Sequence, residues 1–286
     1  MIELDEKFIK EIYIPREPDG YKGDYGHTFV VAGCKGFEGA AYFATMGAIR
    51  TGSGLVTLGT HSDVLDHLSV KLNEAMTVSI ENITNVRQML DKCTSIVIGP
   101  GLGDNPRNYD LLKKIVVCGS SPLVIDADGL NLLAKDLTLL DKRLCPTVLT
   151  PHFGEFSRLT GVPIDELKKH KIEHAFDFAR KNNVILVLKD HKTIITDGKE
   201  IYINTTGNSS MANGGMGDTL AGIIASFAGQ GYCTLKATLL GVYLHGLTGE
   251  ILSRGMFCVN PTHLLEALPY IMKKYICNNN SNKILK

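Results

Sequence analysis

The strongest chemical signal in the chain is Asn213-Gly214-Gly215-Met216-Gly217-Asp218, where three glycines lead into the apolar stretch TLAGIIASFAG. Glycines at such a junction let backbone N–H groups face an anion, and the dipole of the following helix adds to that preference. Gly214, Gly215, Met216 and Gly217 therefore read as an anion hole. Asp218 falls in the first helical turn, where two roles fit. It either complements the helix dipole or stands beside bound phosphate as a base for an attacking hydroxyl. No G-x-x-x-x-G-K-[ST] occurs, which excludes a P-loop enzyme.

Four further clusters deserve weighing. Residues 99–103, GPGLG, follow the apolar run SIVI and read either as a turn or as a close backbone approach to a ligand. They are not a dinucleotide fingerprint, because Asp104 stands where one more glycine would follow. Residues 126–131, DADGLN, place two carboxylates at a strand end. Asp128 fits a helix cap, and Asp126 fits a metal–phosphate assembly equally well. His152, in TPHFGEF, follows another strand and is either a helix-start residue or a ligand contact. His170 and His174 share a helical face, but Lys171 stands where a zinc protease has glutamate, so a solvated face is expected.

The elements that must carry these groups alternate along the chain. Strand candidates are 28–32, 54–58, 75–80, 95–98, 123–126, 148–150 and 184–189, with helical patterns such as 40–51 and 128–135 between them. That alternation predicts an α/β fold around a mainly parallel sheet. Residues 193–196 and 201–204, separated by Asp197-Gly198, predict an antiparallel hairpin at one edge of the sheet. Helices are expected over 216–228, 234–254 (interrupted by glycine) and 261–276, then a frayed polar tail CNNNSNKILK.

Composition removes whole classes of function. The 286 residues are 44% hydrophobic and 21% charged, which excludes wholesale disorder. Lys+Arg and Asp+Glu balance at 30 each, so no global field calls for nucleic acid or an anionic membrane. No apolar stretch reaches the ~18 residues of a spanning helix. The acidic start MIELDEKFIKEIYIP argues against secretion, so a cytoplasmic protein is expected. Seven cysteines, never closer than 19 residues, read as reduced and mostly buried thiols. No linker, repeat or composition break divides residues 1–286, so one domain is expected.

Taken together, GAAYFATMGAIRTGSGLVTL (39–58), GPGLG (99–103), DADGLNLLA (126–134), LTPHFGEFSRLTG (149–161), VLKDHKTIITDG (187–198) and NGGMGDTLAGIIASF (213–227) resemble one branch of the ribokinase-like superfamily, the ADP- or ATP-dependent NAD(P)H-hydrate dehydratases. The resemblance runs in family order over about residues 23–270. It implies a three-layer α/β/α sandwich and a metabolite-repair lyase that uses Mg²⁺ and ADP or ATP to dehydrate the S-epimer of hydrated NADH or NADPH. It implies that Ala40, Gly103, His152 and Asp218 contact the hydrated nucleotide, with Asp218 as the base. Lys189, Asp190, His191, Lys192, Thr193 and Gly217 would hold the adenine nucleotide. A homotetramer is the implied assembly, and no epimerase domain is expected at the amino end. Asp190 and Met216 depart from the pattern, where glycine and a smaller residue are commoner. A small-molecule kinase of the same superfamily is the alternative, since it shares the Gly-Gly-Met-Gly-Asp turn. A nicotinamide-dependent dehydrogenase would need an amino-terminal G-x-G-x-x-G, which is missing.

Overall fold

The computed structural model describes residues 1–277, so the tail expected to fray lies outside the described residues from 278 onward. Ten strands form one sheet: β1 (Ile2–Glu3), β2 (His27–Val31), β3 (Leu55–Thr60), β4 (Met76–Ser79), β5 (Ser95–Ile98), β6 (Leu123–Ile125), β7 (Thr147–Leu149), β8 (Ile185–Leu188), β9 (Thr193–Thr196) and β10 (Ile201–Asn204). Their spatial order is β1-β10-β9-β8-β7-β6-β5-β2-β3-β4. The pairs from β4 across to β8 are parallel, while β9 runs antiparallel to both β8 and β10. The two-residue β1 adds parallel to β10, outside the hairpin.

The central strands are apolar on both faces, as parallel strands covered by helices must be. Register then sorts their side chains. Val30, Val97, Val124 and Val148 stand opposite one another across β2, β5, β6 and β7 and point into one core. Their neighbours Val31, Ile98, Ile125 and Leu149 point into the other.

The first core is covered by α1 (Glu6–Ile12), α2 (Glu38–Thr51), α3 (Ser62–Ser69), α10 (Met216–Gly229), α11 (Thr234–Ser253) and α12 (Pro261–Met272). The second is covered by α4 (Ile83–Lys92), α5 (Pro106–Cys118), α6 (Asp128–Leu133), α7 (Phe153–Thr160), α8 (Ile164–Lys169) and α9 (Lys171–Asn182). The result is the expected three-layer sandwich. Side-chain caps fix where the key helices begin: Asn105 accepts from Asn108 N ahead of Pro106, and Asn260 accepts from His263 N ahead of Pro261. Each such cap stabilises its helix by about 1 kcal/mol. Helices α2 and α10 touch backbone to backbone, since a Cβ on Gly222 would collide with the Ala44 carbonyl and one on Gly47 with that of Thr219.

Several expectations need correction. Helix α11 runs unbroken through Gly241, Gly246 and Gly249, because each glycine is a close contact, against Ile224, Thr206 and Met211 respectively. Helix α12 stops at Met272 and continues as a wider π-type turn over Lys273–Cys277. Asp128 does not cap α6; Ala127 holds that position at φ 49° and ψ −119°. Nor are the thiols mostly buried: Cys93 is, whereas Cys118, Cys233 and Cys258 are exposed.

Candidate active site

Three consecutive parallel strands each end in a polar residue, and the three meet. Asp126 follows β6, Thr150 follows β7 and Lys189 follows β8. Thr150 Oγ1 donates to Asp126 Oδ1 at 2.7 Å, and Lys189 Nζ donates to the same oxygen at 2.8 Å. Asp126 is only 1% exposed, and a buried carboxylate survives only when paired and hydrogen-bonded. Glu155, also buried, brings a second carboxylate to 3.8 Å from Lys189 Nζ.

The glycine-rich turn closes over this pair. Gly215 adopts φ 92°, and a side chain there would strike Phe43 and Pro261, so only glycine serves. The N–H groups of Gly214, Gly215, Met216 and Gly217 donate to no acceptor among the described residues. Gly217 brings its backbone against the ion pair: a Cβ there would stand 3.3 Å from Lys189 Nζ and 3.6 Å from Asp126 Oδ2. One turn thus sets backbone N–H groups that lack acceptors beside the half-buried Lys189.

Asp218 sits one residue further on. Burial drives its pKa up, the nearby Asp126 adds to that, and Lys189 only partly offsets them, leaving it pushed up to about 7. A carboxylate with that affinity for protons is matched to general-base work near neutrality. For Lys189 the balance runs the other way. Burial works to lower its pKa, but Asp126, Glu155 and Asp218 reverse the effect and hold the ammonium charged.

A cavity of about 520 Å³ opens beside the cluster, within the range that takes a small-molecule ligand. Its walls include Lys189, Asp190, His191 and Thr193 from the β8–β9 turn, with Met216 and Gly217 from the start of α10. Lys192 is exposed and stands outside those walls. The departure at position 190 has a partner: Asp190 Oδ2 accepts from Lys171 Nζ, at the start of α9, at 2.6 Å. Burial works to raise the Asp190 pKa, yet that bond and the His191 N–H outweigh it and hold the carboxyl below its usual value. Deeper in the cavity His245 is pushed down to about 4 by burial, against an opposing bond to the Met216 backbone.

Of the two roles left open for it, His152 fills the helix-start role. Its Nδ1 accepts from Gly154 N at 2.9 Å and Glu155 N at 3.2 Å, while Glu155 Oε2 accepts from His152 N at 2.8 Å. This reciprocal cap starts α7 and fixes Glu155 beside Lys189. The imidazole itself is 55% exposed. On the other flank Gly103 N donates to Asp128 Oδ2 at 2.8 Å, so Asp128 braces the GPGLG loop. Ala40 packs against that loop, because a Cβ on Gly101 would stand 2.9 Å from Ala40 Cβ. His170 and His174 form no part of the site; His170 is exposed, 3.8 Å from Glu166.

Sequence reasoning assigned no part to Glu155, Thr150 or His245, nor did it pair Asp126 with Lys189. The spacing of His152 and Glu155, three residues apart at a helix start, is a capping signal that points to the first of these. His245 lies inside an apolar helix and carries no comparable mark.

Comparisons with known proteins place the chain in a family. The family model described as NAD(P)H-hydrate dehydratase matches residues 28–270. An ADP-dependent (S)-NAD(P)H-hydrate dehydratase of Lactococcus lactis is 34% identical over 97% of this chain and 100% of its own. A bifunctional NAD(P)H-hydrate repair enzyme of Moorella thermoacetica is 38% identical over 90% of this chain, which spans only 51% of that longer protein. The ADP/ATP-dependent NAD(P)H-hydrate dehydratase of Bacillus subtilis, co-crystallised with ATP and Mg²⁺, superposes with a TM-score of 0.86 at 31% identity, covering 95% of this chain and 97% of its own. The carboxylate–lysine cluster under a glycine turn therefore sits on a chain that belongs to the NAD(P)H-hydrate dehydratase family.

Proposed function

We propose that this protein dehydrates the S-epimer of hydrated NADH or NADPH, spending the terminal phosphoryl group of ADP or ATP. The observation that carries the reading is Asp218, held near pKa 7 beside the Lys189–Asp126 pair and under four unpaired N–H groups. Hydroxide is a poor leaving group, and phosphorylation makes it a good one. Asp218 takes the hydroxyl proton as the oxygen attacks the terminal phosphorus, and the bond from that phosphorus to the AMP or ADP oxygen breaks. Lys189 and the N–H groups of Gly214–Gly217 stabilise the charge of the transferring group. The ring nitrogen lone pair then expels phosphate, and loss of a proton from the adjacent carbon restores the reduced nicotinamide.

Ala40, Gly103 and His152 flank the hydrated ring in this reading, while Lys189, Asp190, His191, Lys192, Thr193 and Gly217 serve the adenine nucleotide. The single lysine is outnumbered by Asp126, Glu155 and Asp218, and that surplus suits a divalent cation arriving on the nucleotide phosphates. Asp126 would hold Mg²⁺, which would supply further charge neutralisation. The same reading takes residues 1–286 as one dehydratase domain and the assembly as a cytoplasmic homotetramer; the family resemblance supports both.

The test mixes protein, Mg²⁺, hydrated NADH and each nucleotide and follows the near-ultraviolet absorbance of NADH. Phosphorus NMR should show inorganic phosphate rising in step, and only when hydrate is present. A persistent phosphomonoester on another alcohol, without NADH, would replace the dehydratase by a kinase.

A further inference from the structure

A second cleft, of about 840 Å³, opens beyond the carboxyl ends of β3 and β4, away from the nucleotide cavity. Its walls include His61 and Glu81, which directly follow or nearly follow those strands, and Asn105, Arg107 and Lys114 from the start and outer face of α5. The cleft adjoins the GPGLG loop. Asn108, in the cleft wall, donates from Nδ2 to the carbonyls of Leu102 at 2.7 Å and Gly103 at 3.0 Å. A Cβ on Gly103 would stand 3.8 Å from Asn105 Nδ2. The loop therefore has Asp128 and the active site on one side and this cleft on the other.

The charges in the cleft are unequally committed. Glu81 accepts from Ser62 Oγ at 2.8 Å, Ser62 N at 3.1 Å and His61 Nδ1 at 3.0 Å, and from Ser79 Oγ as well. Burial works to raise its pKa, but these bonds overcome it and hold the carboxyl at about 2. Asp110 is paired with Lys113 at 2.7 Å. Arg107 and Lys114 have no ion pair or hydrogen bond among the described residues. His61 Nε2 is buried without a partner, an unsatisfied group of the kind that stability alone does not maintain. Every acid in the cleft is spoken for, and the two strong bases are not.

We propose that this cleft is the subsite for the phosphorylated adenosine half of the hydrated dinucleotide, with Arg107 and Lys114 recognising phosphate. The inference rests on the dehydratase reading above. A dinucleotide whose nicotinamide ring lies between Ala40, Gly103 and His152 must project its other half from the site. The cleft across the Gly103 loop is roomy and carries free positive charge of the right sign. The phosphate is either the bridging pyrophosphate or, in the NADP form, the 2′-phosphate.

The test compares wild type with Arg107→Gln, Lys114→Gln and the double variant, on hydrated NADH and hydrated NADPH separately. The expected result for the double variant is a hydrate KM raised about tenfold, with kcat and the KM for ADP or ATP within about twofold of wild type. A loss confined to hydrated NADPH assigns the cations to the 2′-phosphate; an equal loss on both assigns them to the pyrophosphate. Unchanged hydrate KM in an active double variant overturns the subsite. So does an equal rise in nucleotide KM, which would mean a general field rather than a local contact. Failure of the wild type to regenerate NADH overturns the dehydratase reading, and with it this inference.

Discussion

Two cations, the half-buried Lys189 and the buried Arg143, stand at opposite ends of the sheet and show what separates the candidate site from a structural one. Arg143 precedes β7 at the amino ends of the strands and is 8% exposed. Its guanidinium donates to the carbonyls of Val116 at 3.1 Å and Gly119 at 2.8 Å, to that of Ser121, and to Thr147 Oγ1 at 3.0 Å. These groups surround the C-terminal end of α5, where a cation also complements the helix dipole. Burial lowers its pKa, and no carboxylate faces it among the described residues. Lys189 meets carboxylates instead, more of them than it can neutralise. Burial of a charge is common to both ends; an uncompensated surplus of charge exists only at the carboxyl end, where Asp218 feels it.

Breaking the carboxyl end should give the largest effect. Asp218→Asn keeps the shape but cannot accept the proton, so turnover should fall about 10²–10⁴-fold with nucleotide affinity nearly unchanged. The same variant should be more stable than wild type at alkaline pH. The folded-state pKa of about 7 lies above the ordinary 3.8, so the stability tied to the protonated acid is complete at low pH and lost as pH rises through 7. Thermal melts should show a gain at pH 8, up to about 4 kcal/mol for a carboxyl raised from 3.8 to about 7, that vanishes below pH ~4. Lys189→Met should come next, with about a 10²-fold loss, because it leaves Asp126 and Glu155 unpaired. It also sharpens the electrostatic account. Wild-type kcat/KM should rise tenfold per unit below about pH 7 and then level, and removing Lys189 should move that bend to higher pH.

At the amino end the same kind of substitution should act on stability alone. Arg143→Leu strips donors from carbonyls at the end of α5, so unfolding free energy should fall by about 2–4 kcal/mol while kcat of the folded enzyme holds. Urea denaturation and activity on one preparation separate the two effects. The smallest change expected is at Lys171. Its bond to Asp190 ties α9 to the nucleotide turn, so Lys171→Met should raise nucleotide KM about threefold without altering kcat. Exchanging the charges, Lys171→Asp with Asp190→Lys, should recover most of that loss.

Local signals were the legible ones. The strands around 28–32, 95–98 and 123–126 stand within a residue or two of where apolar runs place them, and the glycine-dense turn at 213–218 leads into a helix as expected. What sequence could not supply was adjacency across the sheet. Asp126 and Lys189 are distant in the chain and meet only because β6, β7 and β8 lie side by side, with Thr150 between them. A cap was one open role for Asp128, because that residue type favours caps, and its bond to Gly103 depends on where the loop after β5 comes to rest. Helix α11 was expected to break at glycine, since propensity is local, and its glycines are close contacts fixed by distant partners.

The contact between α2 and α10 also constrains how the molecule can come into being. Helix α2, with Ala40 near its start, comprises residues 38–51, and the helix it grips through Gly47 and Gly222 comprises residues 216–229. At a synthesis rate of about 5–20 residues per second, roughly 10–35 s pass on the ribosome between the two. During that interval the central strands can pair while the apolar side of α2 has no lid, and the anion hole does not yet exist. The candidate site is therefore completed only once residues 216–229 are made, and a methyl group added at Gly222 would block the step that seals it.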